Sequence, residues 1–351
     1  MRFKYPVVDS HIHISSFEEW EKIKIATQNG NYEQFTILSG AFVPDNIAGN
    51  LLVANIKEYQ KNRVYGYASF HRLRGECIES EDLLEQAKDY YNMGFDGIKM
   101  LDGKPTIRSL NGIPIDDPVY DDMLFFLEEK EIPLLYHIND PVEFWDCKKI
   151  PVWAQKAGYL YDETIPSFES IQKETLRMLK KHPNLNITIA HFFFLSNSND
   201  YDLACQLMEN YKNVYLDLTP GWEMFENFGE KYEQWRDFQE HYSDRLIFGT
   251  DICASNYKGV QEPLKACLET EDVFEKSGVV CHGMNLSDIA LKNIYYNTYK
   301  KNIQTDMPKK VQWGYVYEYI EKLKVRIRNS KMCNKEKLLR ELIGYEKHVN
   351  M

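Results

Sequence analysis

No run of about 18 consecutive apolar residues occurs in the chain, so no segment is long and apolar enough to be read as a membrane-spanning helix. The first residues, MRFKYPVVDSHIHI, have no apolar core behind a basic stretch, so a secretory signal is not expected. An excess of basic residues is also missing: 42 Lys and Arg stand against 53 Asp and Glu, a net charge of −11. That balance speaks against nucleic acid and against an acidic membrane surface as partners. It leaves the substrate open, because a local pocket need not share the sign of the whole protein. The seven cysteines, scattered from Cys77 to Cys333, form no CxxC pair. Free thiols in a reducing cytoplasm are therefore expected rather than disulfides or a thiolate metal site. Neither a GxGxxG nor a GxxxxGK[ST] loop follows any strand-like run, and no internal repeat or low-complexity stretch is present.

What the chain does have is 44% apolar and 27% charged residues, the composition of a soluble globular protein with a sizeable core. Short β-rich runs appear at Val7–Ile12, Phe35–Leu38, Val64–Phe70, Gly97–Met100, Pro133–His137, Ile187–His191, Val214–Leu218 and Leu246–Gly249. Between most of them lie segments with helical spacing of apolar residues: Leu51–Gln60, Leu83–Met93, Tyr120–Glu129, Ile171–Lys181 and Leu203–Tyr211. Runs such as PLLYH, ITIAH and LIFG are almost wholly apolar, as strands covered on both faces must be. Eight such strands alternating with helices predict an α/β fold, a closed (β/α)8 TIM barrel, with a doubly wound open sheet as the alternative. Two regions break the alternation. Residues 140–166 form an aromatic-rich insertion with Trp145, Trp153, Tyr159 and Tyr161. Residues 309–351 read as a locally basic helical extension beyond a barrel domain of residues 1–308. Its aromatic residues, Trp313 to Tyr319, are expected to cover the barrel or a partner subunit.

Asp9, His11 and His13 sit at alternate positions of the first strand, so their side chains share one face. Two imidazoles one pleat apart can chelate one ion, yet HxH by itself describes a pair of core histidines equally well. The other polar strand ends decide between these readings. His137 closes PLLYH, His191 closes ITIAH and Asp251 follows LIFGT, each at the C-terminal end of an apolar strand, where a barrel builds its active site. Together they predict a shared metal site.

The segments VVDSHIHI, GFDGIKM, DDPVYDDMLFFLEEKEIPLLYH, HPNLNITIAH, NVYLDLT, DRLIFGTD and NLSDIALKNIYYNTYKKN resemble the amidohydrolase superfamily. The likeness is to its amidohydrolase-related group, which includes the aminocarboxymuconate-semialdehyde decarboxylase family, and the segments keep that group's order over roughly residues 6–303. The resemblance implies a (β/α)8 barrel with one catalytic divalent ion, often zinc. It places the metal ligands on His11, His13, His137 and Asp251, and the histidine that contacts substrate or water on His191. Lys99 falls where binuclear relatives carry a carbamylated lysine, and a single metal is expected here. Asp9 is then cast as a residue behind the ligands that orients them.

The donor set suits zinc and tolerates manganese or iron. Asp251 is the expected general base and His191 the group that stabilises an oxyanion or protonates a leaving group. The first reading is a metal-dependent hydrolase of a small C–N or C–O bonded carbonyl substrate. The alternatives are a non-oxidative decarboxylase of a carboxylated cyclic or unsaturated compound, and a catalytically silent barrel kept for binding. His71, Arg72 and Arg74 after the third strand, and Arg108 after the fourth, are candidate contacts to substrate at the pocket mouth. Lys99, Trp222, Asp217 and Phe192 to Phe194 are candidate lining. His182, His241, His282 and His348 are read as structural or solvated. A homodimer is expected from the resemblance.

Overall fold

The computed structural model of the chain describes residues 2–40, 48–72, 76–197, 199–253, 256, 259–304, 307–330 and 334–349, with side chains through Tyr345. Arg74, Cys333 and the His348 side chain lie outside the described residues.

Eight parallel strands run β1 (Val7–His13), β2 (Tyr32–Leu38), β3 (Val64–Ser69), β4 (Gly97–Gly103), β5 (Leu134–Ile138), β6 (Ile187–Ile189), β7 (Val214–Asp217) and β8 (Leu246–Ile247). They are hydrogen-bonded in chain order, each to the next. The circle is drawn shut just past the short last strand. There Ser10 N–H donates to Phe248 O (3.1 Å), Asp251 N–H to His11 O (2.8 Å) and His13 N–H to Ile252 O (2.9 Å). The expected TIM barrel is therefore present, and the open sheet is not. Around it lie α1 (Phe17–Thr27), α2 (Gly49–Tyr59), α3 (Ser80–Met93), α4 (Pro105–Asn111), α5 (Asp121–Glu129), α6 (Val152–Lys156), α7 (Phe168–Lys181), α8 (Tyr201–Asn210), α9 (Trp222–Glu230), α10 (Tyr232–His241), α11 (Gln261–Glu269) and α12 (Asp288–Lys292). Every residue of β1, β3 and β5 is buried, as the unbroken apolar runs require of strands with helices outside and packed side chains inside.

Helix α3 shows how the outer layer is specified. Leu83, Ala87 and Tyr90 recur at helical spacing and are buried. Glu81 and Asp82 sit in its first turn, where acidic groups complement the helix dipole. Gly94 ends it at φ +86°, a left-handed conformation that glycine adopts without a Cβ penalty. A Cβ there would also lie 2.1 Å from the carbonyl oxygen of Lys310. The chain beyond the barrel is thus laid directly on this helix end.

The extension is helical, as expected: α13 (Trp313–Asn329) and α14 (Lys335–Val349). Val316, Tyr319, Ile320, Leu323 and Ile327 of α13, with Leu338 and Leu342 of α14, join the barrel's own hydrophobic core. Arg326 pairs with Glu76 and Asp82, and Lys322 with Glu85 and Asp89, on or beside α3. These pairs are partly exposed, so they fix orientation more than they stabilise. The insertion has its own small core of Phe144, Ile150, Ala154 and Tyr161 and contains α6. A two-stranded antiparallel hairpin, β9 (Val273–Lys276) with β10 (Val279–His282), follows α11 and was not expected from the sequence. Among the described residues no helix is long and apolar enough to cross a membrane.

Candidate metal centre

At the C-terminal end of the barrel the side chains of His11, His13 and Asp251 converge. His11 Nε2 and His13 Nε2 are 3.3 Å apart, and Asp251 Oδ1 lies 3.4 Å and 3.3 Å from them. One ligand atom from each of the three lies within 4.8 Å of the others. Local backbone makes this possible. Asp251 stands at φ +50°, just past the strand, and its own N–H is tied to His11 O. Gly249 lets that segment approach β1, since a Cβ there would lie 2.9 Å from the Cβ of His11.

The protonation of His11 follows from its partner. His11 Nδ1 is 2.9 Å from Asp217 Oδ2. A carboxylate can only accept, so Nδ1 carries the hydrogen and Nε2 keeps its lone pair for the centre. That lone pair faces the Lys99 Nζ at 3.2 Å, a positive group already standing beside the donor nitrogen. Burial pushes His11 and His13 well below the usual imidazole range, with the nearby positive charge of Lys99 acting the same way. Burial likewise lowers Lys99 and raises Asp251, and the two oppose this by attracting each other. A neutral His11 with its Nε2 lone pair turned to the centre, a neutral His13 and a carboxylate oxygen together form a donor set that fits a divalent ion.

Asp9 does not touch the imidazoles. Its Oδ1 accepts the backbone N–H of His11 (3.3 Å) and of Thr250 (3.1 Å), and its Oδ2 accepts the Thr250 hydroxyl (2.7 Å). It pins β1 to the segment carrying Asp251, and burial pushes its carboxyl up to about 7. The residue that orients a ligand ring directly is Asp217. Besides His11, it accepts the backbone N–H of His191 (2.7 Å) on Oδ1, together with the Thr219 hydroxyl.

His191 lies beyond the end of β6, in a feature the sequence did not announce. His191, Phe192, Phe193 and Phe194 all have φ between +52° and +55°. A left-handed turn of four non-glycine residues costs about 1–2 kcal/mol per residue, and such conformations concentrate at functional sites. The Asp217 bond anchors its start. Phe192, a candidate for pocket lining, instead holds it by packing against Phe228, Trp235 and Phe238. Phe194 lies nearly parallel to the His191 ring, with centroids 5.2 Å apart. His191 Nδ1 is 3.0 Å from Thr219 Oγ1 and 3.3 Å from Thr219 O. Because the Thr219 hydroxyl is given to Asp217, both partners accept, so His191 is Nδ1–H with a bare Nε2.

His137 comes from β5, 4.9 Å from His191 between ring centroids. It stands apart from the group of three, with Nε2 3.3 Å from Asp140 Oδ1. Burial and the Lys104 charge bring it down to about 4.

The candidate substrate contacts are placed less favourably. Arg108 makes two 3.0 Å bonds to Glu174. Arg72 bonds to Asp102 (3.3 Å) and Asn111 (3.0 Å). His71 is buried beneath α13, its Nδ1 within 3.1 Å of Tyr319 Oη and 3.2 Å of Tyr90 Oη. Trp222 packs at the start of α9, with Lys276 Nζ 5.5 Å from its ring centroid. Among the described candidates, Lys99 reaches the group of three, and so does Asp217 through His11. Asp217 carried the same signal as His137, a polar residue ending an apolar strand, and was read only as lining.

A parallel (β/α)8 barrel with two histidines of β1 and an aspartate beyond β8 facing one point defines a class of barrel with a candidate metal centre. A family model described as Amidohydrolase matches residues 77–277, more than half of the chain, and the chain belongs to that family. The matched span begins after β3, so it includes His137, His191 and Asp251 but not His11 and His13. No curated protein matches. Among solved structures, the chain is similar to 2,6-dihydroxybenzoate decarboxylase from Rhizobium: 14% identity, 86% of this chain and 99% of that one covered, TM-score 0.54. It is similar to 4-oxalomesaconate hydratase from Rhodopseudomonas palustris, at 12% identity, 90% and 99% coverage and TM-score 0.52. A third is dihydroxybenzoic acid decarboxylase from Polaromonas sp. JS666, with bound manganese and the inhibitor 2-nitroresorcinol, at 13% identity, 85% and 97% coverage and TM-score 0.50. At these identities the likeness shows the fold.

Proposed function

We propose that this chain is a metal-dependent hydrolase of small molecules with a C–N or C–O bonded carbonyl, working at one divalent ion held by His11, His13 and Asp251 with His137. The observation that carries the reading is the convergence of the His11, His13 and Asp251 ligand atoms within 4.8 Å at the barrel's C-terminal end. When bound, the ion supplies Lewis acidity, polarising a carbonyl and acidifying water. Nitrogen-rich ligation supports zinc, and the manganese of the Polaromonas protein keeps that ion in view. Asp251, whose side chain is 33% exposed, would accept the proton of the attacking water. His191 is neutral with a bare Nε2, so it would take up the proton that Asp251 receives from the water and pass it to the leaving group. Asp217 holds it in place for both steps.

Two occupied arginines support hydrolysis over decarboxylation. Arg72 and Arg108, the candidate clamps for a substrate carboxylate among the described residues, are both bonded to carboxylates of the chain itself. The second reading, a non-oxidative decarboxylase, is supported by the similarity to the Rhizobium and Polaromonas decarboxylases. The reading of a silent barrel is opposed by the intact set of His11, His13, His137, His191 and Asp251.

Metal analysis of protein purified without a histidine tag tests the centre. Near one ion per chain is expected, with most of it lost in His11→Ala. A content far below one that does not change in His11→Ala returns the silent barrel. Activity then divides the chemistries: lactones and amides are expected to be hydrolysed, with loss of turnover in Asp251→Asn. Carbon dioxide release from carboxylated aromatics, lost in the same variant, would put the decarboxylase first.

A further inference from the structure

Asp140 lies two residues beyond β5, at the entrance to the insertion, and is 3% exposed. Three segments reach it. Lys104, between β4 and α4, gives its ammonium to both oxygens, at 2.7 Å and 2.9 Å. Tyr161, from the core of the insertion, donates its hydroxyl to Oδ2 at 2.6 Å. His137 Nε2 faces Oδ1 at 3.3 Å. Lys104 is a donor and Tyr161 gives its only hydrogen to the same carboxylate, so Asp140 is the acceptor in every contact. The imidazole must then present Nε2–H to it, and Nδ1 is the nitrogen left bare. This is the reverse of His11, which is Nδ1–H toward Asp217.

We propose that Asp140 is a positioning residue for His137. It holds the ring by Nε2–H so that Nδ1 is the donor nitrogen, and through Tyr161 it makes that orientation depend on the folded insertion. The aromatic insertion is in this way part of the site's framework. Tyr161 packs against Trp145 at 4.8 Å and belongs to the insertion's own core, and Lys104 Nζ lies 5.0 Å from the ring centroid of Tyr159. A shift of that core moves the hydroxyl that holds Oδ2, and the carboxylate turns with it. The role of His137 as a ligand rests on the hydrolase reading above; the choice of its nitrogen does not.

Nitrogen NMR of 15N-histidine-labelled, metal-free full-length protein, with His137→Gln to assign the signal, reads the ring directly. A neutral Nε2–H form with a hydrogen-bonded proton is expected, and that proton signal is lost in Asp140→Ala. Manganese and zinc affinities, from competition with a chelator, should fall about ten- to a hundredfold in Asp140→Ala. Asp140→Asn, whose amide oxygen still accepts from Nε2–H, should fall in between, and Tyr161→Phe should lose about fivefold. If Asp140→Ala does not fold, the Asn and Phe variants carry the test. An Nδ1–H ring in the wild type, or affinities unchanged in these variants, overturns the proposal. A wild type that binds neither metal sinks the hydrolase reading, while the NMR signal still judges the Asp140–His137 pair.

Discussion

Asp217 serves two histidines with one carboxylate. Oδ2 sets the tautomer of His11, and Oδ1 takes the backbone N–H that begins the left-handed turn at His191. All of these groups are buried, so removing the acceptor leaves the donors with no water to turn to. At about 1–3 kcal/mol for each stranded donor, Asp217→Ala should destabilise the protein by at least 3 kcal/mol in urea unfolding. Its metal affinity should drop about ten- to a hundredfold as His11 loses its orientation. An unaltered urea midpoint together with unaltered affinity would contradict this account. HxH and the polar strand ends were readable because strand alternation and barrel topology fix where such residues project. Which carboxylate holds which ring was not readable, because Asp9 and Asp217 come from opposite parts of the chain. Asp9 bonds the backbone while Asp217 bonds the ring, a difference set by side-chain direction in the closed barrel.

Among the elements, the strands were the most legible. Their near-continuous apolar runs separate cleanly from the 3.6-residue periodicity of α3, α5, α7 and α8. The turn at His191 is the clearest miss. Its AHFFFLS segment contains no glycine or asparagine, and local preference argues against positive φ at the three phenylalanines. Packing of Phe192 and the Asp217 bond impose the conformation from outside. The hairpin β9–β10 was also missed, because β9 is charged and largely exposed and β10 is a run of only four residues. The junction between α3 and the extension offers a test at this scale. Gly94→Ala adds a methyl to a residue at φ +86° and drives it against Lys310 O. A loss of more than about 1 kcal/mol is expected from the backbone alone, with faster proteolysis around residues 309–312. Stability and cleavage equal to the wild type would show that the extension is not seated on this helix end.

Over the whole molecule, the extension and the barrel share one hydrophobic core, and His71 is buried where they meet. Burial, assisted by the Arg326 charge, pushes His71 down to about 3. Above pH 6.5 the residue is neutral in both native and unfolded chains, so nothing is lost there. As pH falls below 6.5 the unfolded chain takes up a proton that the native protein refuses, and stability declines until about pH 3. The decline attributable to this one group is about 1.4 kcal/mol per pH unit. His137, brought down to about 4, acts in the same sense, whereas Asp9, pushed up to about 7, acts in the opposite one. Urea unfolding of chelator-treated protein at pH 6.5 and at about pH 5 isolates His71 by difference. The drop in stability should be smaller by about 1.5 kcal/mol in His71→Gln than in the wild type, and equal drops would refute the assignment.

The sequence by itself determined the barrel, the helical extension and the identity of the residues that can face the barrel mouth. Those depend on periodicity and on residue type at strand ends, which are local properties. The tertiary structure alone decided which of those residues meet. It gathered His11, His13 and Asp251, drew His137 toward Asp140, turned His71 beneath α13 and bound Arg72 and Arg108 to internal carboxylates. The reason is physical: a buried charge or ring nitrogen goes to the nearest compensating group, and nearness among strands far apart in the chain exists only once the barrel has closed.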